Sequence, residues 1–130
     1  MSQTLWSMPG NQVTVVFETL NADGYRADGY NAAIFGAPDG YDTIDGYYNL
    51  PVIERIIFPS LALASGYPQK MARIDSGLYY FQFTLPTGST AVGSYIVDMQ
   101  YINPATNNVG ETFTQVVVMA PFGQYTISTF

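Results

Sequence analysis

Apolar and polar residues alternate with a period of two in four stretches of this chain, the pattern of strands with one face buried and one wetted. Residues 13–20 set Val13, Val15 and Phe17 against Thr14, Val16 and Glu18. Residues 78–85 point Tyr79, Phe81, Phe83 and Leu85 inward, with Gln82 and Thr84 outward. In residues 94–102, Tyr95, Val97, Met99 and Tyr101 oppose Asp98 and Gln100. Residues 111–119 carry Thr112, Thr114, Val116 and Val118 on one side and Phe113, Val117 and Met119 on the other. That last stretch is apolar on both faces, which predicts a strand in the middle of its sheet.

Turn residues separate these stretches. Pro86, Thr87 and Gly88 through Gly93, and Asn103 and Pro104 through Asn108, predict that the second, third and fourth strands follow one another as an antiparallel meander. Weaker strand signals lie at residues 30–35, 52–58 and 123–130, where Tyr125 and Ile127 alternate with Thr126 and Ser128. Residues 60–65 predict at most one or two helical turns. The expected architecture is a single all-β domain over residues 12–130, preceded by an extended N-terminal arm over residues 1–11.

Residues 21–60 hold four Asp-Gly-Tyr triplets, starting at Asp23, Asp28, Asp39 and Asp45. Each Asp-Gly pair favours a tight turn, because glycine takes positive φ freely and aspartate bonds its own backbone. Their spacing of 5, 11 and 6 residues is too irregular for a structural repeat.

Composition narrows the chemistry. At 130 residues the chain is long enough for one true core. It has no cysteine and no histidine, which removes thiolate metal sites, imidazole ligands and Ser-His catalysis. Four basic residues against ten acidic ones, a net charge of −6, give phosphate backbones nothing to hold, so nucleic acid is not expected as a partner. No apolar run reaches the ~20 residues of a membrane span, and the start of the chain lacks the basic and apolar regions of a signal peptide. Only 11% of residues are charged while 15% are aromatic, against roughly 25% charged in ordinary soluble domains. An exterior so sparsely ionised is expected to face other protein.

The residues Gly77-Leu78-Tyr79, then Pro86, then Gly93-Ser94-Tyr95-Ile96-Val97, with residues 113–118 closing, resemble the C-terminal half of immunoglobulin-like modules of the filamin and bacterial-surface type. The resemblance spans about residues 73–118 and implies an antiparallel immunoglobulin-like β-sandwich. It departs from the immunoglobulin Cys and Trp core pattern, since the single tryptophan is Trp6. In size and composition the chain is also similar to accessory proteins of tailed-phage virions, which decorate capsids with related β folds.

Three constellations could carry chemistry. Asp75-Ser76-Gly77 matches the loop of aspartic proteases, but the following Leu78-Tyr79-Tyr80 and the unconvincing Ala91-Val92-Gly93 leave it as a turn entering a strand. The carboxylates Asp23, Asp28, Asp39, Asp42 and Asp45 could gather calcium, yet no Asp-x-Asp-x-Asp spacing is present, so they are read as solvated turns. No cofactor or metal is expected, and a two-carboxylate glycosidase has no identifiable pair. The remaining features are for binding: Tyr25, Tyr30, Tyr41, Tyr47 and Tyr48 beside turns, where amphipathic rings suit protein contacts or sugar stacking, and Leu5, Trp6 and Met8 on the arm.

The expectation is therefore a noncatalytic virion structural protein. It would act as a capsid decoration or cement protein, assembled in the host cytoplasm and bound between major capsid subunits or other virion proteins as a homo-oligomer, with a trimer favoured. The alternative is a receptor- or carbohydrate-binding module of a tail fibre or bacterial surface protein.

Overall fold

A computed structural model describes residues 3–29, 41–42, 46–47 and 50–119. In chain order the strands are β1 (Gln3–Ser7), β2 (Gln12–Glu18), β3 (Tyr41–Asp42), β4 (Gly46–Tyr47), β5 (Val52–Ile57), β6 (Gln69–Lys70), β7 (Ala72–Asp75), β8 (Leu78–Thr84), β9 (Gly93–Ile102) and β10 (Val109–Val118). Two sheets form the body, ordered β1-β10-β9-β5-β6 and β2-β8-β7, and β3 and β4 make a small hairpin. The fold is a β-sandwich, as the alternation predicts.

One apolar cluster fills the space between the sheets, with Val13 and Val15 from β2, Tyr79 and Phe81 from β8, Tyr95, Val97 and Met99 from β9, and Val116 and Val118 from β10. Strand β5 adds Ile53 and Ile56, three positions apart, because a bulge between Ile53 and Arg55 lets both point inward. Thr19 and Thr114 are the buried polar residues among those described.

The meander is only half formed. Strand β9 pairs with β10 across the Asn103 to Asn108 turn, but β8 pairs with β2 and β7 in the opposite sheet. The Pro86 to Val92 connection therefore crosses between sheets instead of closing a hairpin. Its single 3-10 turn, Ser89–Ala91, buries Ala91, whose carbonyl accepts the Tyr95 hydroxyl at 2.8 Å. This crossing buries aromatics of both strands on facing sheets, which a flat meander would leave on one side of a single layer.

Other expectations change too. The arm is extended, but Gln3–Ser7 is an edge strand of the large sheet, parallel to β10 with Leu5 opposite Val116. Leu5 packs on the core, so the segment docks on its own domain. Strand β10 lies between β1 and β9, interior as expected, yet its second face is wetted: Phe113 and Met119 are exposed. Residues 60–65 form no helix; the backbone turns at Phe58 to Leu61 and rejoins β5 through an Ile57 to Leu63 bridge. At the end of β9, Ile102 takes the buried place expected for Tyr101, which is half-buried against Phe17 at a ring distance of 4.9 Å. The strand candidates at residues 30–35 and 123–130 lie outside the described residues.

Candidate interaction surface

Strand pairing decides which side chains share the outer face of the large sheet. Leu5 points inward, so its neighbour Trp6 points out, opposite Val117 of β10. Gln115 pairs with Ile96, and Ile96 with Ile57 of β5, while Phe113 pairs with Asp98 and Asp98 with Arg55. Trp6, Val117, Phe113, Ile96 and Ile57 therefore lie on one face across four adjacent strands. The Trp6 indole is 65% exposed. The ions of this face lie in its half nearer the end of β9, where Arg55 meets Glu54 at 3.2 Å and Asp98 at 3.5 Å, and where Glu111 opposite Gln100 and Lys70 opposite Val52 share the face. Met8 and Met119, both exposed, extend the apolar area beyond the ends of β1 and β10.

The opposite feature is polar and built from loops. Residues after β2, the Ser76-Gly77 turn between β7 and β8, and the Asn103 to Asn108 turn between β9 and β10 all lie at one end of the sandwich, here the loop end. Asn21 organises the first triplet: its side-chain oxygen accepts the N–H groups of Asp23 and Tyr25 at 3.0 and 3.2 Å. This is an Asx-type turn, and it holds Tyr25 74% exposed.

The second triplet behaves differently from the solvated turn expected of it. The Asp28 carboxylate is only 14% exposed and is gripped by Arg73, whose Nη2 donates at 2.9 Å and whose Nε donates at 3.2 Å. The Gly77 N–H donates to it at 2.9 Å, and so does the Tyr79 hydroxyl. Burial would raise the Asp28 pKa, but the bonds from Arg73, Tyr79 and Gly77 and the Arg73 charge outweigh it and leave the carboxyl below its ordinary 3.8. Burial, then the bond and charge of Asp28, push the Tyr79 phenol far above its usual value, so it serves as a fixed donor.

With bonds from Arg73, Gly77 and Tyr79 converging on one carboxylate, the cluster works as an anchor. It ties the start of the long β2 to β5 connection onto the β7 to β8 turn. Close backbone packing completes the tie: a Cβ on Gly29 would fall 2.2 Å from the Ile102 carbonyl oxygen, and one on Gly77 (φ +67°) would fall 2.5 Å from the Ala27 nitrogen. Asp75 accepts the N–H of Ser76 at 2.8 Å, the bland turn that the protease-like triplet was read as. Among the described residues no group of three or more potential metal ligands gathers.

Of the residues read as binding candidates, Trp6, Met8 and Tyr25 are exposed and Leu5 is half-buried. Tyr41 and Tyr47 pair across the β3 to β4 hairpin, and Tyr30 and Tyr48 lie outside the described residues. The structure does not bring Trp6 and Tyr25 together: Trp6 sits on the outer sheet face, Tyr25 at the loop end. Sequence reasoning missed the Asp28 anchor, whose partners are 45 and 51 residues away. It also missed Leu61, exposed at a turn with φ +73°, because that stretch reads as helical. Comparison with known proteins finds no matching family model, no matching curated protein and no matching solved structure.

Proposed function

We propose that this protein is a noncatalytic structural component of a virion, a decoration or cement protein that docks over junctions between capsid subunits through the outer face of its five-stranded sheet. The observation that carries this reading is the apolar patch of the exposed Trp6 with Val117, Ile96 and Ile57, crossed by a Gln115 to Ser94 hydrogen bond at 3.2 Å. A large indole held in water on a rigid strand costs solvation free energy that a partner surface recovers. Aromatic anchors of this kind dominate protein interfaces, and repetition over many copies multiplies a modest gain.

The scaffold is read as immunoglobulin-like. The order β1-β10-β9-β5-β6 against β2-β8-β7 corresponds to the two-sheet order of variable-type immunoglobulin domains, and the Tyr95 bond to Ala91 supports it as the tyrosine corner of that fold.

Cosedimentation with emptied tailed-phage capsids tests the reading. Saturable binding at a fixed number of copies per capsid subunit, lost in Trp6→Ser, is the expected result. A chain that binds no shell would overturn it.

One observation favours the second reading, recognition of a receptor or carbohydrate. The loop end holds an exposed Tyr25 on a connection pinned by Asp28 and Arg73, and in variable-type immunoglobulin domains the equivalent end carries the binding loops. Glycan binding that survives Trp6→Ser but not Tyr25→Ala would support this reading over the first.

A further inference from the structure

A sandwich with open sheets has strand edges, and each edge needs a reason not to pair. Of the four edges of the two sheets among the described residues, two are blunted and a third, β1, is only five residues long. Strand β6 is two residues long and carries Lys70, while β7 is charged and bulged between Arg73 and Asp75. Strand β2 is different: seven residues, no bulge against β8, no proline and one charge, Glu18.

The ladder shows which β2 groups are unused. Leu85 N–H bonds to Asn11 O and Thr19 N–H bonds to Gly77 O, so the odd-numbered residues of β2 form the hydrogen-bonded pairs with β8. The N–H and C=O groups of Gln12, Thr14, Val16 and Glu18 then point away from the sheet, and no strand pairs with them among the described residues.

Beside this edge the two sheets part. A groove of about 690 Å³ opens toward the loop end between β2 and the β10 side, with Phe17, Met99, Tyr101, Thr112 and Thr114 in its wall. The Thr114 residue is 1% exposed, yet its hydroxyl has no hydrogen-bond partner among the described residues. A buried hydroxyl left unmatched is costly and marks a place where a donor or acceptor is missing.

We propose that the groove is a strand-acceptor site, and that its occupant is residues 123–130 of a second copy of this chain, added as a strand along the free edge of β2. The sequence Gly-Gln-Tyr-Thr-Ile-Ser-Thr-Phe suits the role: it is rich in β-branched and aromatic residues, alternates in polarity, lacks proline and has no charged side chain to bury beside Glu18. Tyr125, Ile127 and Thr129 on its inner side would cover Tyr101 and Met99 and offer a hydroxyl to Thr114.

The topology favours a second copy over the same chain. Strand β10 runs away from the loop end and finishes at Val118, where β1 already occupies its free edge. A strand returning from there to the groove would run parallel to β2, the less stable pairing. A second copy can approach antiparallel. Giver and acceptor surfaces differ, so copies assemble by reciprocal exchange of the segment in a dimer or by head-to-tail contacts closed into a ring.

This site is separate from the outer sheet face, and one experiment distinguishes them. Full-length chain is expected to sediment as an oligomer of fixed size, both as the natural chain and as Trp6→Ser, while a chain ending at Phe122 sediments as a monomer. That shorter chain keeps every residue of the core cluster, which ends at Val118. A labelled peptide of residues 123–130 should bind it, and Val16→Pro, which removes an outward N–H and no β8 bond, should weaken that binding at least tenfold. A thermal melt checks that the proline variant folds, and unlabelled peptide must compete in any case. A monomeric full-length chain, or a peptide that does not bind the shortened chain, overturns the proposal.

Discussion

Arg73 and Asp28, 45 residues apart in the chain, meet as a two-pronged ion pair in which Nη2 and Nε of the guanidinium donate to one carboxylate at 2.9 and 3.2 Å. With Gly77 and Tyr79 they fasten the first part of a 33-residue connection, residues 19–51, to the sandwich.

Breaking the pair should be expensive. Asp28→Ala strands the Arg73 charge and the Tyr79 hydroxyl in a mostly buried site, at a cost of about 2 to 3 kcal/mol in urea unfolding. Tyr79→Phe removes one bond and should cost about 1 kcal/mol. A double-mutant cycle of the two checks that they report one cluster.

The same carboxylate sets an acid limit. The folded Asp28 pKa lies below its ordinary 3.8, so its contribution to stability is complete above 3.8 and is lost as pH falls through the lower folded value. Between about pH 4 and pH 2 the urea midpoint of the natural chain should drop further than that of Asp28→Asn, which has no such proton to take up. Equal losses in both chains would show that Asp28 does not contribute.

Gly77→Ala tests close packing at the anchor. Its φ of +67° disfavours a side chain, and the new Cβ would meet the Ala27 nitrogen at 2.5 Å and the Thr19 oxygen at 2.7 Å, backbone atoms that cannot swing aside. The expected loss is more than about 2 kcal/mol, beyond a backbone penalty of about 1 kcal/mol alone. Hydrogen exchange should show the Thr19 to Gly29 region opening first.

Tyr95→Phe leaves the buried Ala91 carbonyl without the donor now 2.8 Å away, and should lower stability by about 1 to 2 kcal/mol with no change in the apolar core. A thermal melt compared with that of Tyr67→Phe, whose ring is only half-buried, gives the contrast.

Salt dependence separates apolar docking from ionic docking. The chain carries −6, and the part of its outer sheet face around Trp6, Val117, Ile96 and Ile57 holds no charged residue, so raising sodium chloride from about 0.05 to about 0.5 M should leave shell binding unchanged or tighter. Binding that weakens tenfold or more over that range would place the contact on charged groups instead.

Period-two alternation was enough to locate β2, β8, β9 and β10 and most of their inward residues, because burial of one strand face is a local rule written into neighbouring positions. Composition alone removed imidazole and thiolate chemistry. What the sequence left open was which strand lies beside which. Two adjacent strands with a turn between them read the same whether they pair or cross to a facing sheet, and only packing of the Tyr79 and Tyr95 rings into one core chose the crossing. Likewise nothing local separates Asp28 from Asp23. Arg73, Gly77 and Tyr79 come to Asp28 from a distant hairpin, and the free edge of β2 exists only because β1 pairs with β10, a choice between distant surfaces that no neighbouring residue records.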